Sequence, residues 1–194
     1  MSETKYNGFQ RTIPEQFTEI YSETKIQERI GSLASEIEEW CKGIWIDSHT
    51  DVLVLPVLRG GIFFFSDLAK KIDASIEIAP IKAQSYQTDK NAVPRDSVEI
   101  DLGKLAVRGR VVLIVDDVCD SGRTLETLEK RLLEMGAREV RSVVLVRRLL
   151  DTPSFVPCWV GFQYEGPEWF VGFGMDDNER WRNLPSIYVV KRGE

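Results

Sequence analysis

Residues 111–125 read VVLIVDDVCDSGRTL. Five apolar residues, four of them β-branched, run into Asp116 and Asp117, and a third acid, Asp120, precedes Ser-Gly-Arg-Thr. An unbroken apolar run of this length predicts a strand buried on both faces, as parallel sheets require. The residues that follow, RTLETLEKRLLEM (123–135), predict a helix closed by Gly136. Strand, acidic turn and helix in succession place Asp116 to Thr124 at the carboxyl edge of a parallel sheet, where such folds bind ligands.

Elements on either side extend the pattern. Apolar residues at Ile26, Ile30, Leu33, Ala34, Ile37 and Trp40 keep a helical period, with Ser22 or Thr24 as the cap. DVLVLPV (51–57) predicts a buried strand, GIFFFSDLAKKI (61–72) a helix, SIEIAPIKA (75–83) a strand and EVRSVVLV (139–146) another. The polar run 85–97 contains Pro94 and has no apolar period, which predicts a loop. Strands alternating with helices imply an α/β fold with a parallel sheet flanked by crossover helices. After Asp151 the pattern changes to short aromatic segments at 158–163, 168–177 and 186–190. These are expected partly to join the sheet and partly to form a small lobe with the N-terminal segment. The whole chain, 1–194, is thus expected to be one domain, with a core at about 45–150 and a hood from about 1–25 and 151–194.

Composition narrows the class. Hydrophobic content of 43% and charged content of 29% are ordinary for a soluble globular protein. A net charge of −6 argues against a nucleic-acid partner, which selects a basic face. No apolar run nears the ~20 residues that cross a bilayer, and MSETKYNGFQ lacks the apolar centre of a secretory signal. Cys41, Cys119 and Cys158 are too few and too dispersed for a disulfide framework, so a cytoplasmic location is expected. The one histidine, His49, sits in a polar string and excludes Ser-His-Asp and multi-His metal chemistry.

The turn itself carries the chemistry. Backbone N–H groups at a helix start attract an anion, Ser121 and Thr124 add hydroxyl donors, Gly122 admits close approach and Arg123 adds charge. Neither a Walker loop nor a Rossmann glycine fingerprint is present. Carboxylates beside a phosphate must face something else: ribose hydroxyls, a magnesium ion or a developing positive charge. A sugar phosphate suits both halves.

These residues resemble the phosphoribosyl-pyrophosphate (PRPP) motif of type I phosphoribosyltransferases, and four further segments narrow the resemblance to the hypoxanthine-guanine phosphoribosyltransferase family. PVLRGGIFFFSDL (56–68) resembles its pyrophosphate loop and helix, with Arg59 where lysine is usual. Ser85-Tyr86 matches its active-site lid, and VLVRR (144–148) lies where a purine-contacting lysine follows a strand. EWFVGFGMDDNERWRNLP (168–185) resembles its purine-stacking and magnesium-binding stretch. The resemblance runs from about Thr24 to Val190.

It implies a reaction in which a 6-oxopurine and PRPP give a purine nucleoside 5′-monophosphate and pyrophosphate, with Mg2+ as cofactor. Asp120 is the implied proton acceptor. Asp116 and Asp117 would bind the ribose hydroxyls directly or through magnesium, although Asp116 is one methylene shorter than the family's usual glutamate. Ser121, Gly122, Arg123 and Thr124 would cradle the 5′-phosphate. Arg59, Gly60 and Arg182 would hold pyrophosphate, with a cis peptide before Gly60. Arg147 would donate to the purine 6-oxo group, Trp169 would stack on the ring, Phe170 would offer backbone groups to its edge, and Asp176 at that edge would bind magnesium. Ser85 and Tyr86 would close the lid, and Cys119 is expected to be packed and unreactive. A homodimer or homotetramer is the family's usual assembly. The alternatives are a phosphoribosyltransferase for xanthine or another base, and a PRPP-sensing regulator that keeps the fold.

Overall fold

The computed structural model describes residues 12–85, 98–102 and 105–191. Helix α1, Glu23–Ser48, starts at Ser22, whose hydroxyl accepts the N–H of Lys25. Its buried stripe of Ile26, Ile30, Leu33, Ala34, Ile37, Cys41 and Ile44 continues about one turn beyond Trp40, which is why the helix outruns the sequence expectation. It ends at the exposed His49, whose left-handed backbone (φ 53°) lets its N–H return to Trp45 O.

The large sheet contains β2 (Val52–Leu58), β3 (Ile76–Ile78), β4 (Ile81–Ser85), β5 (Val98–Asp101), β6 (Val111–Cys119), β7 (Glu139–Arg148) and β8 (Trp159–Tyr164). The order along it is β5-β4-β2-β6-β7-β8, with β3 also on β2, and every pairing is parallel except β4 with β5. The expected strand at 75–83 is two strands, because Pro80 has no N–H to donate to the ladder.

Side chains of β6 alternate between two cores. Val111, Leu113 and Val115 pack with α1 and α2 (Gly61–Ala69), whereas Val112 and Ile114 pack with Leu125, Leu128 and Leu132 of α3 (Arg123–Glu134). The sheet is therefore covered on both faces, as its apolar run requires.

Strands β1 (Thr18–Tyr21), β10 (Ile187–Val190) and β9 (Trp169–Val171) form a small antiparallel sheet in the order β1-β10-β9. Phe170, Ile187 and Val189 bury it on the α1/α2 side of the large sheet. Of the aromatic C-terminal segments, β8 joins the large sheet and the other two build this hood. Parallel pairing puts the ends of β2, β4, β6 and β7 at one edge, and the hood stands over it.

Candidate active site

The expected phosphate turn forms as its sequence dictates. Gly122 caps α3 with φ 88°, and a Cβ there would sit 2.7 Å from Phe155 O, so only glycine fits. Gly122 itself brings no side-chain cap, which leaves the N–H groups of Thr124 and Leu125 in the first turn for an anion. Ser121 Oγ accepts the N–H of Arg123, and Ser121 O accepts both the N–H and the hydroxyl of Ser154. Thr124 is half-buried at the helix start and Arg123 is exposed.

Pairing with β7 carries β6 to Cys119, so Asp116 and Asp117 lie inside the strand rather than at its end. Asp116 is buried, and its Oδ1 accepts the N–H of Asp117 at 2.9 Å. Burial, then the charge of Asp117, then a hydrogen bond its protonated form gives Asp117 push the Asp116 carboxyl well above the usual carboxylate range. Burial also raises Asp117, opposed by that bond, by backbone N–H groups and by Arg182. Burial thus weighs more heavily on Asp116, and Asp117 is the member that faces the cleft.

That cleft, about 150 Å³, is lined by Asp117, Val118, Asp120, Arg148, Trp169, Phe170, Met175, Asp176 and Arg182. Six of these nine were singled out from the sequence. Phe170 is buried beneath the guanidinium of Arg148, 4.5 Å from the ring centroid. Trp169 donates its indole N–H to Asp176 O at 2.6 Å. β9 is an edge strand, so part of its backbone is not used by the hood sheet.

Arg147 is not part of this lining, and its place is taken by Arg148, which the sequence analysis missed. Leu145 and Val146 both pack on the hood-side core, so the alternation of β7 slips by one residue. Strict alternation from Val143 and Leu145 points residue 147 at the hood; after the slip, residue 148 points there. Arg147 pairs with Cys119 in register, and its Nε is buried without a partner among the described residues. Arg148 donates from Nε to Asp120 Oδ1 at 2.7 Å, and from its two terminal nitrogens to Gly166 O and to Glu168 O, the latter at 3.0 Å.

The loop after β2 closes the other side. A Cβ on Gly60 would overlap Asp117 Oδ2, and one on Gly174 would overlap Gly60 O, so loop, strand and hood interlock through two glycines. The cis peptide joins Leu58 to Arg59, one residue before the expected position at Gly60. Arg59 pairs with Glu179 at 2.8 Å, and Arg182 pairs with Asp176 at 2.7 Å while donating to Gly174 O. Ser85 ends β4 at the same sheet edge, but its side chain and all of Tyr86 lie outside the described residues. Cys119 is 3% exposed, and burial pushes its thiol up to about 11.

A parallel sheet whose carboxyl edge joins a helix-start phosphate turn, an acid pair, an aromatic slot and two arginines defines a sugar-phosphate transfer class. The comparisons agree. The phosphoribosyl transferase domain profile matches residues 16–178. The hypoxanthine phosphoribosyltransferase of Escherichia coli K12 is 35% identical over 173 residues, covering 87% of this chain and 92% of its own. The crystal structure of a hypoxanthine-guanine phosphoribosyltransferase from Bacillus anthracis superposes with a TM-score of 0.77 at 28% identity, covering 92% of this chain and 100% of that one. The bifunctional protein TilS/HprT of Listeria innocua is 32% identical over 98% of this chain, which spans 27% of that relative's length. The chain belongs to the phosphoribosyl transferases, in the hypoxanthine phosphoribosyltransferase family.

Proposed function

We propose that the protein transfers the 5-phosphoribosyl group of PRPP to N9 of a 6-oxopurine, hypoxanthine or guanine, and releases pyrophosphate. One observation carries this: Asp120, held by Arg148, shares a purine-sized cleft with the aromatic pair Trp169 and Phe170 and with the acids and arginine of the sugar side.

Each part has a task. The bond from C1′ to the pyrophosphate oxygen breaks, the ribose gains positive charge, and the purine N9 lone pair forms the new bond. Pyrophosphate leaves toward Arg59 and Arg182, whose charges stabilise it. Asp117 faces the ribose, offering an acceptor to a hydroxyl and a negative charge to the developing cation. Asp120 accepts the proton the imidazole edge of the purine gives up. Arg148 uses three of its five N–H groups in the protein, and the other two recognise an oxygen on the base. Adenine presents an amine there and leaves them unpaired. The 5′-phosphate sits on the N-terminus of α3.

Magnesium fits the donor set in a limited way. Asp117 and Asp176 supply hard oxygen donors, but no group of three or more metal-binding side chains exists among the described residues. That suits an ion held by one or two carboxylates and by substrate oxygens, where it neutralises diphosphate charge when bound. The free cysteines Cys41, Cys119 and Cys158 support a reducing, cytoplasmic setting.

The test is incubation with PRPP, magnesium and, in turn, hypoxanthine, guanine, xanthine, adenine and uracil, following nucleotide formation. Turnover of hypoxanthine or guanine is expected; no turnover with any base defeats the proposal.

A further inference from the structure

The sequence segment that supplies Asp176 and Arg182 also supplies an acid with no assigned task, Glu179. Its Oε1 lies 2.8 Å from Arg59 and its Oε2 lies 3.6 Å from Arg182, so one carboxylate bridges the two guanidinium groups assigned to pyrophosphate. The backbone presents it deliberately: Glu179 is left-handed (φ 63°) and donates its N–H to Asp176 Oδ2 at 2.8 Å. Arg59, Arg182, Asp176 and Glu179 form a quartet of two positive and two negative charges. An arriving diphosphate therefore meets arginines that are already compensated.

We propose that Glu179 is the intramolecular competitor of pyrophosphate: it must leave Arg59 for the diphosphate to bind, and it takes Arg59 back as pyrophosphate departs. The inference rests on Arg59 and Arg182 being the diphosphate contacts. The contact is strong enough to matter and weak enough to be displaced. Both side chains are more than half exposed, 64% for Arg59 and 62% for Glu179. Exposed pairs of this kind shift an equilibrium about two- to fivefold. A buried pair would block the site, whereas this one sets how tightly product is held.

The test is isothermal titration of the full chain with pyrophosphate in magnesium buffer. It compares the wild type with Glu179→Gln, Arg59→Gln and the double variant, with thermal midpoints confirming that each is folded. Glu179→Gln keeps the shape and removes the charge, and is expected to bind pyrophosphate about two- to fivefold tighter. Arg59→Gln is expected to bind more weakly, and most of the Glu179→Gln gain is expected to vanish in its background. Unchanged or weaker binding by Glu179→Gln, with Arg59→Gln impaired, overturns the inference alone. An undiminished gain in the double variant shows a general charge effect and overturns it too. Normal binding by Arg59→Gln removes the diphosphate role of Arg59 itself, and the inference with it.

Discussion

Replacing Arg148 and Arg147 separately by Met distinguishes the structural placement from strict strand alternation. Both arginines end the same strand, and only the slip at Leu145–Val146 decides which one lines the cleft. Arg148 is 13% exposed on its side chain and has three hydrogen-bond partners and an aromatic face. A charge-assisted hydrogen bond to the base is worth about 1.5–3 kcal/mol. Arg148→Met should therefore raise KM for hypoxanthine by on the order of 10- to 100-fold. It should also cost about 2–4 kcal/mol of stability: the bonds to Gly166 O and Glu168 O dominate, and the exposed Asp120 partner adds little. Arg147→Met removes a guanidinium whose Nε is buried without a partner, so its stability should be unchanged or improved, with KM within about threefold of wild type. Steady-state kinetics with hypoxanthine varied at saturating PRPP, beside urea unfolding, reads both quantities. A KM defect confined to Arg147→Met would refute the slip and return the base contact to residue 147.

Asp116→Asn should raise stability at neutral pH. An acid whose folded pKa lies above its unfolded value, ~3.9, contributes stability that is complete below that value and is lost as pH rises through the folded pKa. The amide escapes that loss, so its advantage in thermal midpoint should grow with pH from ~4 upward; a pH-independent difference excludes the assignment. Gly60→Ala forces a methyl group onto Asp117 Oδ2, costing about 1–3 kcal/mol by overpacking in urea unfolding and displacing the acid that faces the cleft. Its turnover should fall at least tenfold, and wild-type turnover would show that the contact is slack. Alkylation with iodoacetamide at pH 8 should label exposed Cys158 well ahead of Cys119 and Cys41, whose thiols burial pushes up to about 11. Cys119→Ser should keep near-normal turnover.

The large sheet was legible because its signals are local. Apolar runs of five to seven residues between glycine and proline turns name buried strands, and parallel order follows from the helices between them. β5 was not legible: Val98–Asp101 alternates one apolar with one acidic residue over only four positions, and antiparallel pairing with β4 is what makes it a strand. The length of β6 was hidden for a related reason. Two acids end an apolar pattern, yet the ladder to β7 continues through Val118 and Cys119, because hydrogen bonding in a sheet does not require apolar side chains.

The site divides along the same line. Asp117 and Asp120 were reachable from the acidic turn itself, whereas Trp169, Phe170, Asp176 and Arg182 were reachable only through the family resemblance of 168–185, because aromatic residues in a short strand otherwise read as core. Arg148 was not, because its direction depends on a one-residue slip that two adjacent strands share: β6 changes phase too, with Val115 and Val118 both on the hood side. Period-2 reasoning assumes a regular strand, and a single slip sends every later side chain to the other face. Here the slip sits just before Asp120, the residue after β6, and just before Arg148, the last residue of β7. It turns both toward the same cleft, so the irregularity that defeats the sequence pattern is also what joins Asp120 to its arginine. Regularising β7 by deleting Val146 would shift both arginines by one position and turn Arg148 away from the cleft. The Asp120 contact depends on that change of phase, and a one-residue shift there should abolish turnover while leaving the α3 face of the core packed.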